Sequence, residues 1–539
     1  MEGRVLGVLL LVALLCAGAK GFECEELQYH LGEFSNYRPM TDEAIQQYAR
    51  HQPKNGGNEH NIKEECTLIQ FQYVSRHGAR YPFGSMVTKF LRLQEKLSRV
   101  SESADLPPFL RHWDGSLFTS HPTYGDLSDR GVAETNALAQ RMVESYPGLR
   151  DLLDWQRSGQ DWNSEDYRFE SSQYIHTARS ASSFGYGLFH SKDSTNSTPY
   201  MPLYIENSAE VTKRLTAYNE LQAQCEAVRE LGKAVDHGSQ AKKILLEQTA
   251  ARLASEWGTE PDWKISASDV STMWQICAFE ATMEENCSSF CSLFDDHDLV
   301  AFERSRDISA YYQESYGFPP SYECMSPLLQ EVFAFMDKRI HRPETSQKVV
   351  VRFAHHQTIS ALLSLLNVFN ELDKHADNLY DLNSQFPWSS SRFTPFMGHV
   401  AFFLYDCGEE HESRNIPSRY FVSLSVNEKE VAVPGTAVYC PYAHFWRQFS
   451  DALKDSMESV CKRYQKIARK QPELEEFPEE RVHPHILQET KTNNSSFFEL
   501  YIVLIIFVGG IVLGLFGRLV VDRSLCRFST KRRNRRGLP

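Results

Sequence analysis

The chain has 539 residues and a formal net charge of −13, too long for one ordinary core and suited to two domains or one elaborated domain. Residues 518–539 carry eight basic side chains and one acidic one, so residues 1–517 sum to −20. A shell this acidic excludes nucleic acid as a partner, and any anion has to be held in a local basic pocket.

In chain order, residues 1–21, MEGRVLGVLLLVALLCAGAKG, have the layout of a secretory signal: Arg4, an apolar run to Cys16, then small residues to Ala19. Residues 67–74, TLIQFQYV, read as a strand. The strand runs into RHGARYP at 76–82, and residues 86–97 follow as a helix with Val87, Phe90, Leu93 and Leu97 on one face. Residues 132–146 and 217–257 read as helices, and KVVVRF at 348–353 as a buried strand. The polar turn AHHQT and an apolar helix from Ile359 come next. Strand, polar turn and helix, twice over, predict a parallel α/β sheet with its loops at the carboxyl ends of the strands. Residues 399–407 and 420–435 read as further strands, the second stretch a hairpin.

The expected organisation is an α/β core from 22–135 and 346–465, with a mainly helical cap region (including some core segments) inserted over 136–345. A charged stalk over 466–499 leads to a membrane-spanning helix over 500–521 and a basic cytosolic tail over 522–539. The span rests on residues 500–517, an uncharged apolar run of 18. The basic residues after it place the tail in the cytosol, making a single-pass type I protein with its ectodomain outside the cell. The endoplasmic reticulum and the endolysosome stay open as other locations. The tail suits anionic headgroups, and Cys526 suits palmitoylation.

Ten cysteines lie between the leader and the span: Cys24, Cys66, Cys225, Cys277, Cys287, Cys291, Cys324, Cys407, Cys440 and Cys461. An even number in an oxidising compartment predicts disulfides, with the pairing left open. Sequons at Asn196, Asn286, Asn493 and Asn494 predict glycosylation. Cys287, Cys291 and His297 match no strong zinc spacing, and Asp295, Asp296 and Asp298 around His297 read as a solvated loop, so no metal site is expected.

RHGARYP carries the chemistry. A neutral imidazole is nucleophilic near physiological pH, and the oxygens of a phosphomonoester must be neutralised before a nucleophile can approach. Arginine does this best, because its planar fork matches two phosphate oxygens and it stays charged. Arg76 and Arg80 flank His77, Gly78 permits close backbone approach, and Pro82 limits the turn. A second histidine for the phosphoryl oxygens is available at His355, in the turn after the second strand.

With that turn far downstream, RHGARYP resembles the first motif of the histidine phosphatases of the acid phosphatase and phytase branch. Further stretches resemble the multiple inositol polyphosphate phosphatase group within it: LSDRGVAETNALAQRM from Leu127, SSQYIHTARSASSFGYG from Ser171, FCSLFDDHDLVAFERSRDISAYYQESYGF from Phe290, AFFLYDC and LSVNEKEVAVPG. The resemblance implies a histidine-phosphatase α/β core with a parallel-rich sheet and a helical cap. It also implies hydrolysis of phytate and lower inositol phosphates through a phosphohistidine, with the 3-phosphate of 2,3-bisphosphoglycerate as a side substrate. His77 is then the nucleophile, Arg76, Arg80 and His355 bind the phosphate, and no cofactor is implied.

Two positions depart from the pattern. The downstream turn ordinarily supplies a carboxyl as proton donor, but here it reads His355-His356-Gln357. His356, if protonated, is the available substitute donor. HTARSA begins with His176 where the pattern has a phosphate-binding arginine, and Arg179 is three residues on, on the same face if the segment is helical. Three readings follow: an inositol polyphosphate phosphatase with an altered donor, a non-catalytic phosphate-ester binder or cell-surface interaction protein on the same fold, and an acid phosphatase of other specificity.

Overall fold

The strand read from TLIQFQYV extends through Ser75 to Arg76, so the first residue of RHGARYP still belongs to the strand (β1, Thr67–Arg76). In the computed structural model the described residues are 24–48, 59–100, 105–119, 123–153, 164–189, 203–234, 237–258, 264–370, 381–384, 386–408 and 418–470. The expected leader, membrane helix and tail, all but the first residues of the expected stalk, and Asn196, Asn493, Asn494 and Cys526 lie outside the described residues. Among the described residues no helix is long and apolar enough to cross a membrane.

After β1 come α1 (Gly84–Ser98), α2 (Asp129–Ser145), β2 (Tyr167–Ser171), α3 (Ile175–Phe189) and β3 (Ile205–Glu206). A helical stretch follows, with α4 (His237–Glu256), α5 (Ala267–Glu284), α6 (Asp296–Glu314) and α7 (Ser326–His341) as its long members. The chain then returns to the sheet with β4 (Val349–Ala354), α8 (His356–Leu365), β5 (His399–Asp406), β6 (Tyr420–Val426), β7 (Lys429–Val431) and β8 (Tyr439–Pro441). The helix read over 217–257 is broken at Cys225, whose backbone leaves helical geometry and which is disulfide-bonded to Cys461. α8 begins three residues before Ile359, because its first turn is the polar His356-Gln357-Thr358 and shows no apolar periodicity.

The sheet has eight strands in the order β3-β2-β4-β1-β5-β6-β7, with β8 paired to β6. The pairs β3·β2, β2·β4 and β4·β1 are parallel, and those from β1 through β5 and β6 to β7 and β8 are antiparallel. The fold is α/β with a mixed sheet whose parallel half carries the repeated strand–turn–helix units.

Side chains alternate across β1. Val74 enters one core with Leu328, Val332, Ile359 and Leu362 from α7 and α8, while Phe71 and Tyr73 enter another with Leu138, Met142 and Phe184 from α2 and α3. A third core of Phe90, Phe118, Met273, Phe279 and Phe302 joins α1, α5 and α6 beside the sheet. Burying each such large side chain contributes about 1.5–3 kcal/mol, enough for β4 to tolerate one charge. Arg352, fully buried, donates to Glu170 at 3.0 Å, Gln72 at 3.2 Å and Glu331 at 3.1 Å.

Four disulfides join Cys24–Cys287, Cys66–Cys407, Cys225–Cys461 and Cys277–Cys291, and Cys324 and Cys440 are free and buried. Cys287 and Cys291 therefore have no thiolate to offer zinc. Asp295 and Asp298 form a reciprocal cap at the start of α6 and both face Arg252, which accounts for the acidic run without a metal. Asn286 lies just after α5, its side-chain oxygen accepting from the Ser288 hydroxyl of its sequon at 2.8 Å.

Candidate active site

The carboxyl ends of β1, β4 and β2 lie side by side, with Arg76 opposite Ala354 and Ser171 opposite Phe353. His77, His355 and Ser172 each follow one strand, so three chain-distant residues meet at one edge of the parallel half. The His77 amide donates to Ala354 O at 3.1 Å, which fixes the start of the turn. The far side of the turn is tied to residues 125–128: Tyr81 N donates to Asp126 O at 2.8 Å, Gly125 N to Pro82 O at 3.0 Å and Ser128 N to Ala79 O at 2.9 Å. The Ser128 hydroxyl accepts from Gly131 N at 3.0 Å and so caps α2 against the same turn.

Gly78 serves this packing. A Cβ there lies 2.7 Å from Thr135 Oγ1 and 2.9 Å from Gly131 O, and one on Gly131 lies 2.1 Å from Ala79 O. The backbone approach expected at Gly78 is thus an approach of α2 to the turn, reciprocated by Gly131.

His77 is buried, and its Nδ1 lies 2.8 Å from Gly78 O. A carbonyl only accepts, so Nδ1 carries the hydrogen and Nε2 presents its lone pair. Burial first, then His176, Arg76, Arg80 and His355, hold the ring well below the usual histidine range, so it is neutral. The ring centroid is 4.4 Å from that of His176 and 5.6 Å from that of His355.

His176 also donates from Nδ1, to Gly125 O at 2.8 Å, and burial and then Arg80 push it down to about 3. Its Nε2 is buried without a partner. His355 has Nε2 3.1 Å from the Ser172 hydroxyl, and burial and then His176 hold it well below the usual range.

The arginines supply the charge. Arg80 stacks 3.9 Å over Phe83 and donates to Tyr81 O at 2.9 Å, while its Nε has no partner. Arg76 lies 4.3 Å over Phe396 and donates to Thr394 O at 2.9 Å and to Glu33 O. Burial pulls them down to about 10 and about 9, which leaves both charged at neutral pH. Two cations and three neutral imidazoles form the local basic pocket that the acidic shell requires.

The remaining predicted residues are placed differently. Arg179 lies one turn after His176 on α3, but its half-exposed guanidinium is ion-paired with Asp126 at 2.7 Å. Gln357 lines a small pocket with Thr216, Tyr218 and Met325. His356 Nε2 lies 3.2 Å from Glu314 Oε1 and 3.3 Å from Arg306 Nη2. Arg306 in turn pairs with Glu33, and Glu314 lies 3.7 Å from it. Burial alone raises Glu33 and Glu314, but their cationic neighbours outweigh it: Arg306, His356 and Arg76 for Glu33, and His356 and Arg306 for Glu314. Both carboxyls are held below the ordinary range.

Sequence reasoning missed this cluster. Arg306 and Glu314 stand eight residues apart on α6, two turns along one face, which is a weak signal, and nothing marked Glu33.

Multiple inositol polyphosphate phosphatase 1 of Gallus gallus is 22% identical over 459 residues, covering 84% of this chain and 95% of its own. A crystal structure of the phytase from D. castellii superimposes with a TM-score of 0.56 at 17% identity, covering 81% of this chain and 88% of that one. Bifidobacterium longum multiple inositol polyphosphate phosphatase, in complex with inositol hexasulfate, gives 0.52 at 16% identity, covering 76% and 93%. The family model of the histidine phosphatase superfamily (branch 2) matches residues 67–427, from the first residue of β1 to the turn after β6. The chain belongs to the histidine phosphatase superfamily, branch 2, and is an enzyme of that family.

Proposed function

We propose that this chain hydrolyses the phosphomonoesters of inositol polyphosphates, phytate and its lower homologues, through a phosphohistidine at His77. The 3-phosphate of 2,3-bisphosphoglycerate is a second substrate. The observation that carries the reading is the Nδ1 hydrogen bond from His77 to Gly78 O, which leaves Nε2 as a bare nucleophile beside the uncovered edge of Arg80. The gallinaceous relative's name and the inositol hexasulfate held by the bifidobacterial one support the substrate class.

His77 Nε2 attacks phosphorus while Arg76, Arg80 and His355 bind the equatorial oxygens, and the P–O bond to the inositol breaks. The leaving oxygen takes a proton from His356, whose Nε2 lies 3.2 Å from the Glu314 carboxylate. Water then attacks the phosphohistidine, the P–N bond breaks, and phosphate departs. His176 contributes a neutral ring where the family resemblance places a cation, so the clamp holds two guanidiniums.

A second reading, a phosphate-ester binder with little turnover, is favoured by one observation: the turn after β4 reads His355-His356-Gln357 and carries no carboxyl. Phosphate release from phytate between about pH 4 and 7.5, beside a His77→Ala control, separates the two. Release that needs His77 supports the enzyme. No release, with phytate still raising the melting temperature, supports the binder. We also propose that the chain is a type I membrane protein with this site outside the cell, from the sequence of residues 1–21 and 500–539.

A further inference from the structure

We propose that His77, His176 and His355 together form a binding site for one Zn²⁺ ion, which competes with phosphoryl transfer by occupying the lone pair of His77. The proposal deepens the reading of the same pocket, but its test does not depend on turnover.

One donor nitrogen from each of the three rings lies within 4.8 Å of the others. Bound to one tetrahedral ion at about 2.0–2.1 Å each, such nitrogens lie about 3.4 Å apart, so the rings draw in by about 1.4 Å at most. Rotations of the three side chains supply a movement of that size.

A second observation is independent of that spacing. His176 is 1% exposed and its Nε2 has no partner, an arrangement that costs free energy unless something binds there. Histidines that ligate metals donate the other ring N–H to a carbonyl or carboxylate, which fixes the tautomer. His77 and His176 both do so, to Gly78 O and Gly125 O, each at 2.8 Å. Two of the three ligands already have the second hydrogen bond of a metal site.

Three imidazoles with an open fourth position suit zinc, and the absence of any oxygen ligand among the three disfavours magnesium and calcium. The opposing force is the charge of Arg76 and Arg80 beside the rings. Both are anion-binding groups, so an anion as fourth ligand offsets them, and inorganic phosphate should tighten the ion rather than displace it.

The test uses the chelator-treated folded protein and Co²⁺ as the probe, read by its visible absorption, which is intense only at low coordination number. One equivalent is expected to give that band, with phosphate strengthening it. His176→Gln and His176→Arg should each weaken Co²⁺ binding by about 100-fold or more, since losing even an outer partner costs 10–100-fold. His297→Ala, at an exposed position within the Asp295–Asp298 cap, should leave the band unchanged. The proposal is overturned by absence of the band, by its persistence in both folded His176 variants, or by its loss in His297→Ala. If wild type shows the band but releases no phosphate from phytate, the metal site stands and the phosphatase reading fails.

Discussion

Glu314→Gln isolates the substitute proton donor. His356 Nε2 has a carboxylate at 3.2 Å and a guanidinium at 3.3 Å, and one nitrogen cannot satisfy both in the same state. Protonated, it donates to Glu314; neutral, it accepts from Arg306. At an effective dielectric of about 20 a unit charge pair at these distances is worth about 5 kcal/mol, so the attraction and the repulsion nearly cancel. Glutamine keeps the shape and removes the attraction, leaving Arg306 to favour the neutral ring. Without the carboxylate, a proton on His356 loses its acceptor and the ring faces the Arg306 guanidinium alone, so donation to the leaving oxygen should suffer. General acid catalysis is worth about 10²–10⁴-fold, and we expect kcat on phytate to fall by about 100-fold. Hydrolysis of p-nitrophenyl phosphate, whose leaving group departs without a proton, should barely change. His356→Ala should show the same substrate split. Steady-state assays on both esters decide the matter: equal losses, or none, rule out His356 as the proton donor.

Two further predictions concern stability. Arg352→Ala strips a fully buried guanidinium from Glu170 and should cost about 3–5 kcal/mol, read as a lower urea midpoint at unchanged slope; a loss below about 1 kcal/mol contradicts the network's importance. His176 is held down at about 3, so an unfolded chain takes up a proton near pH 6.5 that the folded chain refuses. Its contribution to stability is present above pH 6.5 and is lost as the pH falls toward 3, by about 1.4 kcal/mol per pH unit. Urea unfolding between pH 6.5 and 5 should therefore show a shallower pH dependence in His176→Gln than in wild type by about that slope, and identical slopes contradict the buried neutral ring.

Two strands of the parallel half were legible, β1 from the β-branched and aromatic residues of TLIQFQYV and β4 from the apolar stretch in KVVVRF, each ending at a polar turn, whereas β2 and β3, five and two residues long, were not. Those turns named His77, Arg76, Arg80 and His355 directly, since one strand end places one residue. His176 was flagged only as a departure, and its place against His77 came from α3 starting four residues past the end of β2, beside the end of β1. Spacing put Arg179 on the right helix, but Asp126, fifty-three residues earlier, captured it. The Glu33–Arg306–Glu314 cluster was illegible because its members come from a short N-terminal segment and one long helix, brought to His356 by packing alone. The disulfides were illegible for the same reason: Cys24 meets Cys287 across 263 residues. The acidic run at 295–298 could have been read as a helix cap, since an acidic residue three positions after an Asp before an apolar run is such a signature.

The central claim is that His77 carries the phosphoryl group. Its most direct test is to mix the protein with phytate, quench in base within the first turnovers, and map modified peptides by mass spectrometry. A phosphorylated histidine survives base and is lost in acid. A base-stable, acid-labile phosphoryl group is expected on the peptide containing His77 and not in His77→Ala. Sustained phosphate release with no modification at His77 would contradict it.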